Sequence, residues 1–178
     1  WLLGPEGIGA LYVAKSRISE IAPTFISPSS VRHRHDLDIS SPYIIPAPFA
    51  ARFQTATAAN RSILLGWQKA LIFLRDEVGT EWMLDRIAEL VAYLRGKLAS
   101  IPEVTIVTPA GNEAAFIHIQ VEGWKPADIC SILNERKYMI RPVPEQHLPA
   151  PVRISVGFYN TRSELDGLAE NIADIANS

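Results

Sequence analysis

Residues 152–176, VRISVGFYNTRSELDGLAENIADIA, hold the plan of this chain in their two halves. Val152 to Val156 reads as a short strand of β-branched residues, with Arg153 set between the apolar Val152 and Ile154. Five residues later, Thr161 and Glu164 stand at the spacing of a capping box. Leu165, Leu168, Ile172 and Ile175 then recur as the apolar stripe of a helix. A strand followed at once by an amphipathic helix points to an α/β layer.

The same alternation extends backwards. Val104 to Val107, Ala114 to Val121 and Tyr138 to Arg141 read as strands, and Pro126 to Arg136 as a helix between the last two. Before Pro102 the period changes to that of helices. Ile63, Leu64, Trp67, Leu71 and Leu74 form one face, with Asn60 or Thr57 as its cap and Gly79 as its end. Thr80, Glu81 and Asp85 open a second helix carrying Leu84, Ile87, Val91, Leu94 and Leu98, so a helical hairpin is expected. Between Pro23 and Pro48 five prolines, several serines and His33-Arg34-His35-Asp36 predict a long irregular excursion. Ile8 to Val13 reads as a short buried strand beside the turn glycines Gly4, Gly7 and Gly9, whose spacing is not that of a dinucleotide-binding loop.

Composition narrows the function. With 48% apolar residues the chain can build a core, and a net charge of −2 provides no basic field for nucleic acid or an anionic membrane. Its apolar runs are broken by Gly66, Gln68, Lys69 and Arg75 well short of a membrane span. The single cysteine, Cys130, and an opening at Trp1 without the parts of a signal peptide lead to the expectation of a cytoplasmic address.

Three segments, in order, resemble the class V aminotransferase and cysteine desulfurase family of fold type I pyridoxal-phosphate enzymes. Trp1 to Val13, WLLGPEGIGALYV, is similar to the stretch that follows the cofactor-binding lysine. Arg52 to Asn60, RFQTATAAN, resembles RFE-x-GT-x-x-N, with Gln54 in place of the usual glutamate and Ala56 in place of the usual glycine. Val152 to Thr161 resembles LRIS-x-x-x-YNT. The resemblance implies the C-terminal part of a fold type I enzyme. Residues 1–57 would end the cofactor-binding large domain and its sheet, and residues 58–178 would form the helical hairpin and a small α+β C-terminal domain. It also implies pyridoxal 5′-phosphate, an amino acid substrate and a homodimer with a shared active site. The Schiff-base lysine is expected immediately before Trp1, so no catalytic residue is expected in this chain.

Carried over residue by residue, the resemblance assigns Thr57 to the cofactor phosphate, Arg153 to the substrate α-carboxylate and Arg141 to the neighbourhood of the substrate. Each has a plainer reading. Thr57 would otherwise cap a helix, Arg153 would be a strand residue facing solvent, and Arg141 would join a surface ion pair. A planar guanidinium fork suits two carboxylate oxygens, which is the chemistry the arginine assignment requires.

The proline loop Pro142 to Pro151 reads PVPEQHLPAP and lacks a thiol where desulfurases of the family carry their persulfide-forming cysteine. Cys130, inside the helix ADICSILNE, reads as a small core residue. Carbon–sulfur lyase or transaminase chemistry is therefore favoured over a desulfurase. An isopenicillin N epimerase-like activity, or a non-catalytic regulatory or interaction domain derived from the family, stands as the alternative. His33 and His35 have the alternate spacing of metal ligands but no third ligand in reach by sequence, so no metal is expected. His118, between two isoleucines, reads as a structural residue, and His147 lies in the proline loop. Lys15, Lys69, Lys97, Lys125 and Lys137 read as solvated charges.

Overall fold

The computed structural model describes residues 2–32, 44–55, 60–111, 114–144 and 150–178. They fall into two compact units, which divide between Phe73 and Leu74.

In the N-terminal unit most of the backbone is irregular. Short 3-10 turns occur at Lys15–Arg17 and Ala50–Phe53, and an isolated bridge joins Val31 to Pro46. Side chains supply the hydrogen bonds that a ladder would otherwise make. The Ser27 backbone N–H donates to Ser30 Oγ at 2.8 Å, Ser27 Oγ donates to the Gln54 carbonyl at 2.7 Å, and Arg52 Nη1 donates to the Ile18 carbonyl at 2.9 Å. Ser27 and Ser30 are buried, so these bonds offset the cost of withdrawing their polar groups from water. Helix α1, Arg61–Phe73, is capped by Asn60, whose Oδ1 accepts from the Ser62 N–H at 3.0 Å. Asn60 is thus the cap among the two residues expected for that role; Thr57 lies outside the described residues.

Ile8 to Val13 departs from expectation. It forms no strand, and Leu11 and Tyr12 are exposed. Strand propensity is not enough, because an extended segment needs a neighbour to receive its hydrogen bonds.

The C-terminal unit opens with a π-helical turn, Leu74–Val78, closed by the Gly79 N–H donating to the Leu74 carbonyl at 3.0 Å. Gly79 has φ +85, a conformation that glycine adopts without strain, and α2, Thr80–Ala99, starts directly after it. Then come β1 (Val104–Ile106), β2 (Phe116–Val121), α3 (Pro126–Glu135), β3 (Arg141–Pro142), β4 (Val152–Ser155) and α4 (Arg162–Ala176). The four strands form one antiparallel sheet in the order β1-β2-β4-β3.

Alternation divides the sheet into two faces. One face carries Ile117, Ile119, Val121, Val152 and Ile154, which pack with Leu90, Leu94 and Leu98 of α2, Ile129 and Leu133 of α3, and Leu165, Leu168, Ile172 and Ile175 of α4. Each fully buried leucine or isoleucine contributes roughly 1.5–3 kcal/mol of burial, so this face anchors the unit. The other face carries Thr105, Phe116, His118, Gln120, Arg153 and Ser155, all exposed or half-buried.

Strand β3 is shorter than the predicted Tyr138–Arg141. The chain leaves α3 with the Tyr138 N–H donating to the Leu133 carbonyl at 2.8 Å and the Lys137 N–H to the Asn134 carbonyl at 3.0 Å. Lys137 takes φ +68 in that cap. Residues 136–138 are thereby committed to ending the helix. The capping box of α4 is present as expected: the Glu164 N–H donates to Thr161 Oγ1 at 3.2 Å, and the Thr161 N–H to Glu164 Oε2 at 2.7 Å.

Candidate functional site

Arg153 lies at the centre of the polar sheet face. Its neighbours along β4, Val152 and Ile154, point into the core, which directs the guanidinium to the opposite side. Register supplies its company. Arg141 of β3 and His118 of β2 are both directly opposite Arg153, one on each side. Residues directly opposite in an antiparallel pair share a face and bring their side chains together. The result is a row of three basic residues across three adjacent strands, two of them the arginines singled out in the sequence.

The electrostatics of this row are one-sided. Arg153 Nε is buried and has no hydrogen-bond partner. Among the described residues neither Arg141 nor Arg153 makes an ion pair, although Arg17, Arg75, Arg86, Arg136 and Arg162 each do. An unpartnered buried donor on a cation costs free energy, and an anion placed there would recover it. His118 registers the same field: burial, and then the positive charge of Arg153, hold its pKa below the ordinary histidine value. Its ring lies 5.1 Å from that of Phe116.

The turn from β4 to α4 holds Arg153 in register. Asn160 Oδ1 accepts from the Gly157 N–H at 2.8 Å, and Thr161 caps α4. A side chain at Gly157 would meet the Tyr159 ring, with Tyr159 Cε2 2.9 Å from the added atom. In this motif the glycine, asparagine and threonine shape the backbone, whereas the arginine is left free to bind. Phe158 sits edge-on to Trp82 of α2 at 6.3 Å and so ties the turn to the helical layer.

A match to the aminotransferase class-V family model covers residues 2–168. The chain belongs to the class-V aminotransferase family. Relatives include a cysteine desulfurase of Synechococcus elongatus, 29% identical over 98% of this chain and 28% of that protein. An isopenicillin N epimerase of Streptomyces clavuligerus is 29% identical over 96% of this chain and 44% of its own length. Among solved structures, the cystine C–S lyase C-DES matches with a TM-score of 0.79 at 22% identity, covering 98% of this chain and 44% of that one. At that identity the likeness shows the fold. The chain spans less than half the length of these relatives.

Membership of the class-V aminotransferases implies pyridoxal 5′-phosphate. The donor set of the basic row, with its orphaned guanidinium nitrogen, is of the kind that suits a carboxylate, the acid group that every amino acid carries. Thr57, expected at the cofactor phosphate, lies outside the described residues, as do Trp1, His33, His35 and His147. All five lysines are exposed, and Lys97 is engaged with Asp166 at 2.9 Å. Burial raises the pKa of the Cys130 thiol, which suppresses the thiolate that a nucleophile needs. Among the described residues no helix is long and apolar enough to cross a membrane, and no group of three or more His, Cys, Asp or Glu is arranged to hold a metal.

The position of His118 beside Arg153 is what sequence reasoning did not supply. Its setting between Ile117 and Ile119 already put it on the face opposite the core. What the sequence lacked was the pairing of β2 with β4, which places it against Arg153.

Proposed function

We propose that this chain is the C-terminal half of a pyridoxal-phosphate enzyme that acts on an amino acid by carbon–sulfur lyase or transaminase chemistry, working in the cytoplasm as a homodimer with a shared active site. The observation that carries the reading is the buried, unpartnered Nε of Arg153 beside Arg141 in register. Bound cofactor supplies the electron sink for a carbanion at the substrate α-carbon. Arg153 grips the α-carboxylate with its planar fork, Arg141 adds a second positive charge from the edge strand, and Thr57 donates its hydroxyl to the cofactor phosphate. Held at its carboxylate, the substrate keeps one orientation, which decides which α-carbon bond lies ready to break.

Lyase or transaminase chemistry is preferred to desulfuration because residues 142–151 contain no cysteine and the Cys130 thiol is held protonated by its surroundings. Likeness to an isopenicillin N epimerase supports a second reading, inversion at the α-carbon.

Both readings meet in one experiment on the intact enzyme loaded with cofactor. A panel of amino acids is assayed separately for sulfide, keto acid and inverted stereochemistry, with Arg153→Ala in parallel. Loss of a charged hydrogen-bonded contact should raise KM by about 10- to 100-fold while leaving cofactor absorbance in place. Unchanged KM and kcat would remove Arg153 from the site. Inversion without sulfide or keto acid would select the epimerase.

A further inference from the structure

One member of the basic row has no task in the reading above. His118 faces Arg153 across the β2–β4 pairing, on the side away from Arg141. Beyond it lies an open cavity of about 400 Å³, lined by Val107, Thr108, Pro109, Ala114, Phe116 and His118. Thr108 is already engaged: its Oγ1 accepts the His118 backbone N–H at 2.8 Å and its carbonyl accepts from Arg95 Nη2 at 2.8 Å. The imidazole is therefore the ionisable group that lines this cavity among its described residues.

We propose that His118 receives a second acidic group of the substrate, so that the site prefers amino acids with an anionic side chain. The inference rests on the reading that Arg153 holds the α-carboxylate and on its transaminase branch, because a short dicarboxylic amino acid has no carbon–sulfur bond to break. Residues directly opposite on adjacent strands bring their side chains together, so the guanidinium and the imidazole are within reach of the two acids of one short dicarboxylic amino acid. Such a molecule can place one acid on the Arg153 fork and the other on the imidazole without leaving the sheet face. Charge balance favours it as well, since one carboxylate against two guanidinium groups leaves an excess of positive charge. Phe116 lies against the imidazole, with ring centroids 5.1 Å apart, and so fixes one flank of His118 while the other side of the cavity stays open to an incoming acid. His118 held neutral in the free enzyme can donate one hydrogen bond, and an arriving anion draws a proton onto its other nitrogen.

Equilibrium binding by calorimetry to the cofactor-loaded full-length enzyme tests this with three probes, L-aspartate, L-glutamate and L-alanine. The better of the two diacids should bind at least about tenfold tighter than L-alanine, the effect of one added charge-assisted hydrogen bond. His118→Gln should bring that ratio close to one, whereas His118→Arg should retain it. A purely structural role for His118 would shift all three probes together and leave the ratio intact. Equal binding of diacids and L-alanine by the wild type overturns the proposal while leaving the carboxylate role of Arg153 standing. Failure of all three probes to bind overturns the proposal, the Arg153 role then being decided by Arg153→Ala on the amino acid that is turned over, and an unchanged ratio in His118→Gln removes His118 alone.

Discussion

The two units of this chain solve the same problem of burying apolar surface in opposite ways. In the C-terminal unit, three helices close over one sheet face, and Leu90, Leu94, Leu98, Ile117, Ile119 and Ile172 are wholly shielded from water. Among the described residues of the N-terminal unit only Ile18, Val31 and Ala47 are buried apolar residues, while Leu11, Tyr12, Phe25 and Phe49 are mostly exposed. The N-terminal unit leaves large apolar side chains at its surface and holds its backbone by side-chain hydrogen bonds instead.

The largest expected effect tests that contrast directly. Leu94→Ala opens a cavity in the closed core and should cost about 2–5 kcal/mol in urea denaturation. Tyr12→Ala, at 87% exposure, should stay within about 0.5 kcal/mol in the same chain. Equal losses would mean that the surface around Tyr12 is covered in solution, and the contrast between the units would fail.

A smaller effect sharpens the packing of the C-terminal unit. At Gly167 on α4 an added Cβ would collide with the Tyr138 hydroxyl oxygen. Gly167→Ala should therefore destabilise by roughly 1–3 kcal/mol in spite of the better helix propensity of alanine. Combining it with Tyr138→Phe, which removes the colliding oxygen, should recover most of the loss. Additive losses in the double variant would show that the two residues do not meet.

The smallest effect concerns the α4 cap. Thr161→Ala should cost about 1 kcal/mol near neutral pH. The Thr161 backbone N–H, followed by the Asn160 side chain, holds the Glu164 carboxyl below its ordinary pKa. Since the folded value is the lower one, the contribution is complete above the unfolded value and disappears as pH falls through the folded one. Wild type should lose stability on that acid side more steeply than Glu164→Gln, as read from urea midpoints at a series of pH values. Parallel curves would show that the carboxylate is not part of the cap.

What could be read in the sequence was whatever depends on near neighbours. The α4 cap needs only Thr161 and Glu164, three residues apart, and the Asn60 cap needs only the helix it precedes. The segment Ile8 to Val13 has the residues of a strand, but a strand is a relation between two segments. Tyr138 to Arg141 looked extended because each residue tolerates it, yet the helix cap at Lys137 took precedence. The candidate site divides in the same way. Arg153 and Arg141 were singled out through the motifs around them, whereas the place of His118 beside Arg153 follows only from the register of β2 against β4.

Strand β3 has a further consequence. Among the described residues it is an edge strand two residues long, one of them Pro142, which has no N–H to offer, and the opposite edge, β1, has three residues. Edges this short, one of them blunted by proline, give a stray strand from another molecule little to add to. Within the described sheet, neither edge offers a long run of unpaired backbone groups for strand addition.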